Sequence, residues 1–153
     1  MKWFLAAAAV LVPALAHADS QVDLLNRLHR EALTRIELAT LAHERGQSAF
    51  PDAVANDQRV LDQAIVDYAK QSGIALEPAG AAVPGELHRL RGEAFDRRLL
   101  AYVADSSQLL IDAMQLQRGQ GDVQFRRVLN RALGTYREQK RAADRLLRAV
   151  PSA

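Results

Sequence analysis

An apolar stripe at helical spacing runs the length of the last segment of this chain. It reads Phe125, Leu129, Ala132, Tyr136, Gln139, Ala143, Leu146 and Val150. Steps of three and four put all eight residues on one helix face. Two earlier segments repeat the pattern. One holds Val54, Gln58, Leu61, Ile65, Tyr68 and Ser72; the other holds Phe95, Leu99, Tyr102, Ser106, Leu109, Ala113 and Leu116. A further segment presents Leu25, Leu28, Ala32, Ile36 and Ala39, with His43 near its end. No stretch alternates apolar and polar residues long enough to make a strand. Four such faces have to be buried helix against helix, so the expected fold is all-α, an antiparallel four-helix bundle.

Three of the stripes are broken once near the middle, at Gln58, Ser106 and Gln139. A lone polar group on a core face must find a hydrogen-bond partner or cost stability. If the helices form one bundle, the three meet in a single polar layer. That layer is the candidate site, either for a small polar ligand or as a hydrogen-bonded layer that fixes register. Asp57 and Asp105 precede two of the breaks and are expected at the edge of the core. There they can pair with Arg35 or with an arginine of the last helix.

Punctuation sets the boundaries. The first helix is expected from Ser20, which can cap it, to Glu44, with Gly46 as the stop. The second begins near Pro51 and ends at Gly73. Residues 76–85 contain Pro78, Gly80, Pro84 and Gly85 and form a loop that can cross the bundle. A short turn over 86–91 leads through Gly92 into the third helix, which runs to about Arg118. Asp122 can cap the fourth, which ends before Pro151.

The N-terminus reads as a secretory signal. Lys2 is followed by an apolar run from Phe4 to Ala16, and Ala16-His17-Ala18 is a small-x-small cleavage pattern. The run is shorter than the ~20 residues of a membrane span. Expected segments are therefore a signal peptide over 1–18, cleaved after Ala18, and one bundle domain over 19–153, placed in the periplasm. The chain contains no cysteine, so its stability rests on the core alone.

The chain has 20 Lys and Arg against 18 Asp and Glu, and loss of Lys2 brings the balance near zero. Nucleic acid is therefore not an expected partner. No nucleophile–base pair and no phosphate-binding glycine loop occurs, so the chain is expected not to be an enzyme and to carry no cofactor. A di-iron bundle needs Glu-x-x-His pairs, and none is present. His29 and His43 are about 21 Å apart along one helix and cannot share a metal. His43 is expected on the inner face in a satisfied polar contact. The remaining partners are an unidentified small ligand or envelope protein. Contact between the arginine-rich last helix and anionic lipid headgroups is a further alternative, as is a metal-binding bundle using carboxylates and His43.

Leu87-His88-Arg89-Leu90-Arg91-Gly92-Glu93-Ala94-Phe95-Asp96-Arg97 resembles the L-x-x-L-x-G-x-x-F-D-R signature of an exported bacterial family, domain of unknown function 4142. Glu37-Leu38-Ala39-Thr40-Leu41-Ala42 is similar to its E-L-G-x-L-A. Asp57-Gln58 and Asp105-Ser106 fall on its two Asp-His pairs, Leu133-Gly134-Thr135 resembles its L-P-T, and Gln139 falls on its last histidine. The resemblance implies a ferritin-like four-helix fold and, by analogy, a metal site at those histidines. Here all three histidines are replaced, and Arg35 stands where the family often has Glu. The resemblance therefore implies a degenerate metal-type centre with no metal ligands.

Overall fold

In the computed structural model, residues 11–150 are described, with side chains from Ser20 onward. They form four helices: α1 (Leu11–Arg45), α2 (Phe50–Gln71), α3 (Gly92–Leu116) and α4 (Val123–Ala149). A single 3-10 turn, Gly85–His88, precedes α3, and no strand occurs among the described residues. Part of the expected signal segment, residues 1–10, lies outside the described residues.

The helix ends follow local chemistry. Pro51 sits in the first turn of α2, where its missing N–H costs nothing. Gly73 takes φ +68° just past the last turn, a conformation that side chains with a Cβ resist. Asp122 caps α4 by accepting a hydrogen bond from the Phe125 amide at 2.7 Å. The start of α1 differs from the sequence expectation. The helix runs unbroken from Leu11, so Ser20 lies within it and is not a cap.

The helices close a ring in which α1 packs on α2, α2 on α4, α4 on α3 and α3 on α1. His29 Nδ1 lies 2.6 Å from Asp62 Oδ1, and His43 Nε2 lies 2.9 Å from Asp52 Oδ1, which zips α1 to α2. The connection over residues 72–91 runs lengthwise beside α1. The Glu77 amide donates to Asn26 Oδ1 at 2.9 Å, and the Ala82 amide to Thr34 Oγ1 at 2.8 Å. Leu87 is then fully buried beside Phe95 and Leu99. The chain thus leaves α2 at one end of the molecule and enters α3 at the other.

Burial divides into two hydrophobic clusters. One gathers Leu25, Leu28, Leu61, Ile65, Tyr68, Met114, Phe125 and Leu129. The other gathers Leu38, Leu41, Leu87, Phe95, Leu99, Val103 and Ala143.

The core face of α3 is turned from the expected one. Leu109 is 65% exposed and Leu116 81% exposed, while Leu100, Val103, Leu110, Ile111 and Met114 are buried. Both faces share Phe95 and Leu99. The face carrying Val103 and Met114 buries more aliphatic surface, so it wins, and Tyr102 moves to its rim.

Candidate functional site: a polar layer around Arg35

Between the two clusters lies a layer of polar side chains drawn from all four helices. Its centre is Arg35 of α1, whose side chain is 0% exposed. Nε donates to Glu31 Oε1 at 2.8 Å, one turn back on the same helix. Nη1 donates to Gln139 Oε1 of α4 at 2.5 Å. Nη2 donates to Ser106 Oγ at 2.8 Å and to Ser107 Oγ at 3.0 Å, both on α3. The guanidinium also lies 4.6 Å from the ring centre of Tyr136, within cation–π range. Burying an arginine is tolerable only when the charge is paired and its N–H groups are used. Here both conditions hold.

The network continues outward. Gln58 Nε2 of α2 donates to Gln139 Oε1 at 3.0 Å, and the Tyr136 hydroxyl donates to Gln58 Oε1 at 3.3 Å. Ser106 Oγ donates to Glu31 Oε1 at 3.0 Å, and the Tyr102 hydroxyl to Glu31 Oε2 at 2.8 Å. Donors from three helices therefore converge on two acceptors, the Glu31 carboxylate and the Gln139 carbonyl. Burial pushes the Tyr102 phenol above its ordinary range, and the neighbouring Glu31 charge pushes it further. Burial likewise raises Tyr136, against an opposing pull from Arg35.

Of the residues expected at the site, the structure brings together Arg35, Gln58, Ser106 and Gln139. It does not bring in Asp57 or Asp105, which are exposed. Among the described residues neither forms an ion pair with Arg35 or with an arginine of α4, and the carboxylate that Arg35 needs comes from Glu31. Asp57 instead lines the surface groove that leads to Gln139 between α2 and α4. His43 also departs from expectation: its side chain is 68% exposed and faces Asp52 at the surface. Glu31, Ser107 and Tyr102 belong to the layer although the sequence reading did not place them there. The Glu31–Arg35 spacing of four, which favours an ion pair on one helix face, was the available signal. Ser107 replaces Ser106 as the fully buried serine because of the turn of α3 already noted.

Two open grooves reach the layer from opposite sides. One of about 210 Å³ between α1 and α3 exposes Glu31, Tyr102 and Ser106. The other, about 430 Å³ between α2 and α4, is lined by Phe50, Asp57, Gln139 and Arg145.

A transition-metal ion does not fit this layer. Its donor set is one carboxylate, two amides and hydroxyls, which are poor ligands for such metals apart from the carboxylate. The strongest lone pairs already accept from Arg35. A second cation would also be repelled by the guanidinium charge beside it. Among the described residues no group of three or more His, Cys, Asp or Glu side chains is placed to hold a metal.

The most specific stretch of the sequence pattern turns out to be architectural. Gly92 takes φ +58° at the entry to α3. Phe95 is fully buried, and Asp96 accepts hydrogen bonds from the Gln47 amide at 3.1 and 3.3 Å, fastening the α1–α2 link. Leu87 and Leu90 seat the end of the long connection.

A family model described as "Domain of unknown function (DUF4142)" matches residues 6–146. No curated protein and no solved structure matches the chain.

Proposed function

For this chain, which belongs to the DUF4142 family, we propose a role as an exported, non-enzymatic binding or structural protein of the cell envelope. It is an antiparallel, ferritin-like four-helix bundle that reaches the periplasm through a signal peptide cleaved after Ala18. The long connection supports the ferritin-like topology, in which two helix pairs are joined by one crossover. The N-terminal charge, apolar run and Ala16-His17-Ala18 pattern support export.

The observation that carries the reading is the buried guanidinium of Arg35. A ferritin-like centre holds a metal cation among inward side chains. In this chain an amino-acid side chain supplies the positive charge at the centre, and glutamine and serine supply the acceptors. Such a centre needs no metal to be electrically balanced. It offers no open coordination position and no free base, since Glu31 is already bonded to Arg35, Ser106 and Tyr102. What remains is a rigid scaffold whose grooves and surfaces bind.

Metal analysis of the purified protein after dialysis tests the reading. The expected result is no stoichiometric iron, copper, zinc or manganese. One equivalent of any of them surviving dialysis overturns it and favours a metal-binding bundle built on residues outside the layer.

A further inference from the structure

Charge in this protein is strongly segregated. Helix α4 carries eight of the 20 Lys and Arg and only two of the 18 Asp and Glu, which leaves 12 bases against 16 acids elsewhere. A nearly neutral chain thus contains one cationic helix on an otherwise acidic body. Arg127, Arg131, Arg137, Arg141, Arg145 and Arg148 are all exposed. At 100° per residue they fall within an arc of about 120° centred opposite the buried Tyr136, along roughly 31 Å of helix. Glu138 is the one carboxylate in that arc. Among the described residues no ion pair joins any of the six arginines to a carboxylate; the ion pair within α4 is Lys140 to Asp144.

We propose that the outer face of α4 is a docking surface for the phosphates of anionic phospholipid headgroups. Arginine presents a planar fork of donors that matches phosphate oxygens, and it is weakly hydrated for a cation. Six such groups on one face of a straight helix complement a flat anionic surface, which attracts each charge that comes within a Debye length. No aromatic side chain lies in the arc to stack on a base, which disfavours single-stranded nucleic acid. Phe125, Leu129, Tyr136 and Ala143 commit most of the apolar face of α4 to the core, and only Val123 and Leu146, 52% and 38% exposed, stand out near its two ends. The helix therefore lies on the headgroups without inserting, and binding is electrostatic and salt-sensitive.

Co-sedimentation of the full chain with vesicles tests this. The probes are phosphatidylcholine vesicles with and without a third of phosphatidylglycerol. Binding is expected only with phosphatidylglycerol, in low salt, and lost at half-molar sodium chloride. The variant Arg131→Gln/Arg141→Gln/Arg145→Gln is expected to bind at least about ten-fold more weakly. Arg59→Gln/Arg89→Gln/Arg118→Gln removes the same charge from exposed positions elsewhere and is expected to bind like the parent. Circular dichroism checks that both variants remain helical, and the surface placement of all six positions favours that. Equal weakening by the two variants overturns the proposal, because net charge then does the binding. Binding that survives both salt and the α4 variant also overturns it and points to the apolar N-terminal run. If duplex DNA displaces the protein from vesicles at equal phosphate concentration, the face is assigned to nucleic acid instead. Salt-sensitive self-association that the α4 variant abolishes, without vesicle binding, assigns it to a second copy of the chain.

Discussion

Arg35 turns an arrangement of four helices into one with a fixed register. Its guanidinium bonds to α1, α3 and α4, and Gln139 hands the connection on to α2 through Gln58. Removing one partner of a buried pair strands the other. Arg35→Met is therefore expected to cost about 3–5 kcal/mol in urea unfolding. Glu31→Leu/Arg35→Met is expected to be more stable than Arg35→Met alone, because no charge is left behind. A double variant less stable than the single one would show that the pair is not what matters. The phenols give a second prediction. Tyr68, Tyr102 and Tyr136 are all raised, chiefly by burial. In the unfolded chain tyrosine ionises near pH 10. Between that pH and the raised folded values, the unfolded state sheds protons that the native state keeps, so stability is complete below pH 10 and falls above it. Phenolate absorbance from Tyr102 and Tyr136 should appear only as helicity is lost, and Tyr136→Phe should flatten the alkaline decline. Of the four expected residues that the structure unites, three were visible as breaks in stripes, and Arg35 was visible through the family pattern. Glu31 was hidden because an i,i+4 pair looks the same on a solvated face as in a core.

At the scale of the elements, the joints hold as much information as the helices. Asp96 fastens the link after α1, and Gly46 lies against it: a Cβ there would collide with the Asp96 carboxylate and sit 3.2 Å from the Ala42 carbonyl oxygen. Asp96→Ala is expected to cost about 1 kcal/mol, the net worth of the lost hydrogen bonds to the exposed Gln47 amide. Gly46→Ala should cost a similar amount through crowding at the same joint. Chemical denaturation of both checks this, and a loss below 0.3 kcal/mol in each would remove the joint from consideration. Asp122 does two tasks, capping α4 and accepting from the Tyr68 hydroxyl at 3.1 Å. The ends of α2, α3 and α4 were legible because proline, glycine and aspartate each impose a local geometry. The face of α3 was less so, because two helical templates share Phe95 and Leu99 and only packing against the other helices chooses between them.

For the whole molecule, charge placement sets the response to salt. Arg127 and Arg131, Arg137 and Arg141, and Arg141 and Arg145 are like-charge neighbours four residues apart on α4. Each such pair is unfavourable by about 0.2–0.5 kcal/mol in dilute buffer. Thermal stability should therefore rise as sodium chloride increases from about 20 to 200 mM and screens this repulsion. Arg141→Glu should raise the melting temperature at low salt and lessen the salt effect. A melting temperature that falls with salt would mean that attraction between α4 and the acidic body outweighs repulsion within the helix. Net charge alone concealed this, since opposite excesses cancel in the sum.

The connection over residues 72–91 has a consequence for how the molecule can come apart. It ties α1–α2 to α3–α4 as a strap, and Gly80, near its middle, is exposed. Severing it there would leave two fragments of comparable length, one bearing Arg35 and Gln58, the other Ser106, Ser107 and Gln139. Each carries half of a single polar lock and neither half is satisfied alone. Fragments made by nicking at the strap should therefore stay together through purification and separate when Arg35 is replaced, which makes this chain a natural candidate for a split protein that reports its own reassembly.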